Sequence, residues 1–361
     1  MLRVLRIHIM QAILNNATQV LSAQQTGSIE TAANILLKGG LVAFPTETVY
    51  GLGALGLSAN CVQKIFVAKG RPASNPMILH VASIEDAMAL FDATYLSTHN
   101  EVKTRILRLA NAFWPGPLTI VCSKSASVPD CVTAGGSKVA VRIPSHPLAL
   151  ALIRSVGQPI VAPSANASGR PSPTESSHVI RTLNGRIDAV LDGGSTAIGI
   201  ESTVIDVTQE PPRLLRPGMI EATEIESVLG QKIASDTDQL EGPIQSHGCP
   251  GRLFKHYAPL VQNIELVSPE SLADAWHADA ALLLRESLAV ALLEQLGPRQ
   301  FKNARIEALP DEPEGFSQRL YAALYRLEMA GPSRLLIEKI PKAAVAWTAI
   351  SDRLHRAASA D

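Results

Sequence analysis

A chain of 361 residues with 46% hydrophobic, 18% charged and 4% aromatic residues is larger than one core usually serves, so it is expected to hold two domains, and its composition excludes the disordered and fibrous classes. The formal net charge of −1 excludes a surface given over wholly to nucleic acid and leaves room for a local basic pocket. Cys61, Cys122, Cys131 and Cys249 make no C-x-x-C pair and have no histidine at zinc-site spacing, which fits a reduced cytoplasmic compartment.

The start, MLRVLRIHIMQAIL, is basic and apolar, but His8 and Gln11 interrupt the apolar run and no small-residue cleavage site follows. No run of 18 apolar residues occurs anywhere, so no membrane span is expected. Residues 1–26 read as an extension. SIETAANILLK, 28–38, has helical spacing, a capping-box start at Ser28 with Glu30 or Thr31, and a Gly39-Gly40 stop. The strand LVAFPT follows, and then TETVYGLGALG, where Gly51, Gly53 and Gly56 have the spacing G-x-G-x-x-G. A dinucleotide turn needs a strand running into the first glycine and an acidic residue about 20 positions on. Pro45 to Tyr50 stands in between, and no acidic residue occurs from Ser58 to Ile84, so the glycines are assigned to a loop with another purpose.

Next come a helix over ANCVQKIFVAKG, a strand MILHVA, helices through 84–113 and a strand LTIVCS after Pro115-Gly116-Pro117. KVAVRIP, the helix PLALALIRSVG, PIVAPSA, DAVLDGG, STVIDVT and PRLLRPG complete an α/β domain with a mixed sheet over 27–220. Periodicity weakens between 231 and 259, so residues 221–260 read as a linker. ALLLRE, ARIEAL and SRLLIEKI, alternating with helical stretches, predict a small parallel α/β domain over 261–355.

Three stretches carry chemistry-bearing side chains. In AKGRPASNP, Lys69 and Arg71 end an apolar helix beside Asn75, and two such cations can converge on one anion; a basic helix C-terminus favoured by the macrodipole is the plainer reading. VAPSANASGRPSPT offers Ser164, Asn166, Ser168, Ser172 and Thr174, which fit either a polar ligand or an ordinary surface turn. IESTVIDV and LLRPG place Ser202 and Thr203 at a strand start and Arg216 in a Pro-Gly turn. Arg142 lies in an otherwise apolar strand and needs an anion, from the protein or from a ligand. His80 falls in the strand MILHVA, where a satisfied core histidine is the commoner case. There is no P-loop, H-E-x-x-H, G-x-S-x-G or EF-hand pattern.

The ordered segments GGLVAFPTETVYGLG, IFVAKGRP, NPMILHV, FWPGPLTIV, VAVRIPSHP, APSANASGRPSPT, ESTVIDV and LLRPG resemble the threonylcarbamoyl-AMP synthase family, with its YrdC-like fold. HYAP followed by a small α/β domain resembles the long two-domain form. The resemblance implies a YrdC-like catalytic domain with a twisted mixed sheet, plus a C-terminal Rossmann-like α/β domain. It implies that L-threonine, bicarbonate and ATP yield threonylcarbamoyl-AMP and pyrophosphate, for threonylcarbamoyladenosine modification of tRNA by a downstream transferase complex. In this family the YGLG glycines shape a cavity wall and bind no dinucleotide.

By the same resemblance Lys69 and Arg71 neutralise the triphosphate, while Asn75, Ser164, Asn166, Thr174 and Arg216 hold the nucleotide and Lys138 lies near it through its backbone. Thr48, His80, Arg142 and Ser202 hold threonine, and Tyr257 closes over ATP from the linker. Mg2+ is expected with ATP, with no protein ligands identified. One departure from the family pattern is CPGRLFKHYAP, with Cys249 and Leu253-Phe254 around its Pro-Gly element. Two alternatives stand beside this reading. One is a noncatalytic RNA-binding module, which the near-neutral charge opposes. The other is a carbamoyl transferase using carbamoyl phosphate, which would bring acylphosphatase-like and zinc-finger segments not seen here.

Overall fold

The computed structural model describes residues 17–235, 256–277, 279–297, 305–340 and 345–359. The first domain contributes β1 (Gln19–Ser22), β2 (Val42–Pro45), β3 (Tyr50–Leu55), β4 (Ile78–His80), β5 (Leu118–Ser123), β6 (Lys138–Arg142), β7 (Ile160–Val161), β8 (Ala189–Asp192), β9 (Thr203–Asp206), β10 (Arg213–Arg216) and β11 (Ala234–Ser235). They form one mixed sheet in the order β1-β8-β2-β3-β7-β4-β6-β5-β9-β10-β11. Hairpin pairs such as β2/β3 and β5/β6 are antiparallel, while β4/β6 and β5/β9 are parallel. The β-branched strands are buried on both sides. On one side, the helices Ser28–Leu37 and Pro147–Val156 seal Phe44 and Ile160 with Ala32, Leu36, Leu152 and Ile153. On the other, the helices Ala59–Lys69 and Asn100–Phe113 supply Val62, Ile65, Ile106 and Leu109 to the larger core.

The expected glycine loop is a strand. β3 holds Gly51 and Gly53 and pairs antiparallel with β2. Neither glycine needs a positive φ; what they lack is room for a side chain. A Cβ on Gly53 would stand 2.9 Å from the Phe44 ring and 3.1 Å from Ile160, and one on Gly56 would meet the Val161 backbone nitrogen at 3.1 Å. The spacing serves close approach of strands.

Other boundaries move for similar reasons. β1 lies inside the expected extension and pairs parallel with β8, so the sheet begins before residue 27. Residues 222–229, expected as linker, form a helix that buries Ile225 and Leu229 in the first core, and β11 pairs with β10. The first domain therefore reaches at least Ser235. The helix at Ser28 has no capping box: Gly27 caps it at φ 86, and the Ser28 hydroxyl donates to the Ser22 carbonyl instead.

The second domain is the expected parallel sheet, with one strand more than anticipated. β12 (Asn263–Val267), β13 (Ala280–Arg285), β14 (Arg305–Leu309) and β15 (Arg334–Glu338) run in the order β12-β15-β13-β14, all parallel. β12 alternates exposed and half-buried residues at the sheet edge, which blunts its hydrophobic signature. The helix Pro313–Met329 buries Phe316, Leu320, Tyr321, Leu324 and Tyr325, and the core it seals also contains Val49 and Ile200 of the first domain. The two domains thus share one apolar cluster.

Candidate functional site

The Ala59–Lys69 run becomes a helix because Ser58 caps it, accepting from the Cys61 amide, and Gly70 ends it at φ 62. Arg71 N–H donates to the Phe66 carbonyl at 3.0 Å and Gly70 N–H to the Val67 carbonyl at 3.3 Å, the paired bonds of a Schellman ending. This turn sends Lys69 and Arg71 inward, and both are buried. Lys69 Nζ donates to the carbonyls of Ser164 and Asn166, the latter at 2.5 Å, and burial followed by repulsion from Arg71 holds its pKa well below the ordinary lysine value. Burial also brings the Arg71 pKa down to about 10, and its guanidinium donates to the Asn75 and Pro76 carbonyls. Lys69, the last residue of the helix, and Arg71 just beyond it are therefore buried against loop carbonyls and do not face solvent.

Register assembles the opposite wall. His80 and Arg142 are Cα partners in the parallel pair β4/β6, so their side chains share a face. Arg142 donates to Thr48 Oγ1 at 2.9 Å and to the Gly116 carbonyl at 3.2 Å, and it forms an ion pair with Glu47 at 2.8 Å whose angle is poor for a hydrogen bond. Burial pushes the Glu47 carboxyl up, but Arg142 outweighs it and the pKa ends lowered. Burial brings the His80 pKa down to about 3, so its imidazole is neutral at pH 7. Ser202, at the entry to β9, meets Thr119 at 2.8 Å and accepts from Arg216 Nη2 at 3.1 Å.

Thr48, Gly51, Arg71, His80, Arg142 and Ser164 line a cavity that Glu201, Ser202, Arg216, His256 and Tyr257 close. Its volume is about 50 Å³, room for a few waters and far below the hundreds of Å³ that ligand pockets usually offer. His256 and Tyr257 form part of its wall: both are buried, and the Ala258 amide donates to the Gly169 carbonyl at 3.0 Å. Tyr257 sits at φ 66, a left-handed conformation that costs an aromatic residue on the order of 1–3 kcal/mol unless its surroundings fix it. Burial takes the His256 pKa down to about 3 and the Tyr257 pKa up to about 12. The Nδ1 atoms of His80 and His256, Asn75 Nδ2 and Asn166 Oδ1 find no hydrogen-bond partner among the described residues.

Of the thirteen residues to which the resemblance gives a binding role, eight line this cavity: Thr48, Arg71, His80, Arg142, Ser164, Ser202, Arg216 and Tyr257. Lys69 adjoins it through its bond to the Ser164 carbonyl, Asn166 through Lys69, and Asn75 through Arg71. Thr174 lies beside His178, its amide 3.3 Å from Nδ1. Lys138 borders a separate cavity of about 460 Å³ with Ser74, Thr133, Gly135 and Asp206, and its amine pairs with Asp206 at 2.7 Å, so its side chain is not directed at the central cavity.

Sequence reading missed Glu201 and His256 in the cavity wall, Glu47 behind Arg142, and Arg353 and Tyr321 behind Glu201. The Glu201 carboxylate accepts from Ser172 at 2.5 Å, Tyr321 at 3.1 Å and Arg353 at 2.8 Å. Burial pushes it up, but Arg353 and Arg216 outweigh burial and hold its pKa at about 2. An acidic residue opening the apolar run of β9 was the available signal. The expectation about Cys249 and Leu253-Phe254 lies outside the described residues. Among the described residues, no three His, Cys, Asp or Glu side chains cluster as metal ligands, and no helix is long and apolar enough to cross a membrane.

Comparison with known proteins covers both domains. The Sua5–YciO–YrdC family model, described as telomere recombination, matches residues 34–218, and a model described as threonylcarbamoyl-AMP synthase, C-terminal domain, matches residues 220–359. Threonylcarbamoyl-AMP synthase of Pyrococcus abyssi is 40% identical over 91% of this chain and 93% of its own. The Schizosaccharomyces pombe protein of that name is 36% identical over 93% and 90%, and that of Bacillus subtilis 48% identical over 64% of each. Among solved structures, P. abyssi Sua5 complexed with L-threonine superposes with a TM-score of 0.78 at 36% identity, over 94% of this chain and 97% of that one.

Proposed function

The chain belongs to the threonylcarbamoyl-AMP synthase family in its two-domain form, and from that premise we infer that its central cavity joins L-threonine, bicarbonate and ATP into threonylcarbamoyl-AMP, releasing pyrophosphate. The observation that carries this reading is the convergence of two buried cations, Arg71 and Arg216, with the Arg142–Thr48–His80 wall around one enclosed space. Bicarbonate takes up a proton and loses water to supply carbon dioxide, and the threonine amine, as the free base, adds to that carbon and gives up a proton to leave a carbamate. A carbamate oxygen then attacks the α-phosphorus, and the bond to the departing pyrophosphate breaks. No protein nucleophile is required. Catalysis rests on positioning and on cations aimed at the phosphoryl oxygens, the role we assign to Lys69, Arg71 and Arg216.

Arg142 is the partner for the threonine carboxylate, with Thr48, neutral His80 and Ser202 completing that end. Asn75, Ser164, Asn166 and Thr174 hold the nucleotide, with the Lys138 backbone near it. Magnesium would be held by the phosphates of the nucleotide and by water, where it would neutralise charge, and no described residue is assigned to it. Closure by Tyr257 excludes water from the carbamate and the mixed anhydride. The product would pass to a tRNA-modifying threonylcarbamoyl transferase in the cytoplasm. The RNA-binding and carbamoyl-phosphate readings are not favoured, since relatives matching over the full length carry the synthase name.

The test is pyrophosphate release with each substrate omitted in turn. Release is expected only when ATP, L-threonine and bicarbonate are all present. Equal release without threonine refutes the assignment.

A further inference from the structure

One side chain of the second domain reaches the cavity wall from behind. Arg353, in the helix Thr348–Ala358, is fully buried. Its Nε donates to Glu201 at 2.8 Å, its Nη2 to the Pro217 carbonyl at 3.0 Å and its Nη1 to Asp352 at 2.8 Å, while its guanidinium carbon stands 5.5 Å from the centroid of the Tyr257 ring. Three elements of the cavity meet at this guanidinium. Glu201 lines the cavity and precedes Ser202, Pro217 follows Arg216, and Tyr257 is the closing residue. Tyr321 completes the arrangement, bonding Glu201 and stacking on Tyr257 with centroids 5.7 Å apart. The same helix holds the His256 amide through the Arg356 carbonyl at 3.3 Å.

A planar fork suits this task as an ammonium does not, because donors leave it in fixed directions while its face lies against a ring. The left-handed backbone of Tyr257 needs surroundings that fix it, and the contacts of its ring with Arg353 and Tyr321 are part of those surroundings. We propose that Arg353 is a positioning residue for the adenylate-forming reaction: from the second domain it holds the Ser202 and Arg216 walls and the closing Tyr257 in one arrangement. This inference rests on the functional reading above. It gives the second domain a part in catalysis without any contact to substrate.

The experiment compares Arg353→Met, Arg353→Lys and the double variant Glu201→Gln/Arg353→Met, in the full chain, by thermal melting and by steady-state pyrophosphate release. Arg353→Met leaves the Glu201 carboxylate buried and unpaired, so a lowered melting temperature is expected, and the double variant removes that charge and should recover much of it. Turnover should fall about tenfold or more in both and stay low in the double variant, since neither grips Tyr257 or Pro217. Arg353→Lys should keep more of the melting temperature than of the turnover. Tyr257→Ala should cost clearly less in the Arg353→Met background than alone, as groups acting together do. Recovery of normal turnover in the double variant, or independent multiplication of the Tyr257 and Arg353 effects, overturns the proposal.

Hydrogen exchange at the Ala258 amide supplies a readout independent of activity. Its bond to Gly169 should lose protection in Arg353→Met and in the double variant, and unchanged protection overturns the proposal even if the unmodified chain makes no product. Absence of threonine-dependent release from the unmodified chain instead refutes the functional reading.

Discussion

Replacing Gly51 and Gly53 singly by alanine separates the two things the glycines of β3 do. At Gly53 the new Cβ would lie 2.9 Å from Phe44 Cε1, 3.1 Å from Ile160 Cγ2 and 3.1 Å from the Val42 carbonyl. Phe44 and Ile160 are both fully buried, so the ring, roughly 0.5 Å inside the 3.4 Å of ordinary contact, has nowhere open to go. Overpacking of this kind costs about 2 kcal/mol. For a domain of this size that lowers the melting temperature by about 4–8 °C. At Gly51 the nearest neighbour is the Ala162 methyl at 3.1 Å, followed by Phe44 at 3.6 Å, and Gly51 and Ala162 both line the cavity. Gly51→Ala should therefore melt within a few degrees of the unmodified chain while its turnover falls on the order of tenfold. Melting curves and pyrophosphate release on the same preparations decide the matter. Gly53→Ala melting unchanged, or Gly51→Ala turning over normally, would refute the assignment of these glycines to strand contact and cavity wall.

Lys69→Met should lower turnover on the order of a hundredfold and also destabilise, because two buried carbonyls lose their donor; normal turnover would return Lys69 to a structural role. Stability should fall as the pH drops below about 6.5. His80 and His256 have folded pKa values of about 3 and His178 of about 4, against 6.5 unfolded, and His146 is lowered as well, so the unfolded chain holds the extra protons across that window, giving a slope of about 4 kcal/mol per pH unit near pH 5. Denaturant titrations at several pH values measure this slope, and His256→Gln should remove about a third of it. Ending the chain after Ser235 should leave a cooperatively melting domain with turnover reduced at least about tenfold, whereas ending it after Ile220 also removes Ile225 and Leu229 from the core and should unfold it. A domain ending at Ser235 that turns over like the full chain would show that closure by Tyr257 is dispensable.

What the sequence reveals follows the reach of its patterns. Strands buried on both faces, such as β5 and β6, and helices with an apolar stripe are legible because one stretch contains the whole signal. The β3 strand is not, since glycines chosen for lack of volume look like glycines chosen for conformational freedom. β1 and β12 escape because short edge strands alternate weakly. Arg71, Arg142 and Ser202 could be singled out from local oddity, a cation or hydroxyl at an apolar boundary. Arg353 could not, because an arginine in an amphipathic helix reads as solvated until a carboxylate 152 positions away is folded against it. Glu47 and His256 are hidden likewise, their meaning resting on partners distant in the chain.

The segment after Tyr257 is pinned at its far end. Glu328 receives Arg170, Arg181 at 3.2 Å and the Leu260 amide at 2.9 Å, all on one buried carboxylate. Any movement of the tyrosine away from the cavity wall would therefore leave the chain just beyond it fastened, and the ring would swing about that point instead of drifting away. A group tethered by so few residues remains at an effective local concentration of millimolar or more around the space it has left, whatever the protein concentration. Resealing is then a first-order event on the timescale of loop motion, so dilution of the enzyme leaves the lifetime of its enclosed intermediate unchanged.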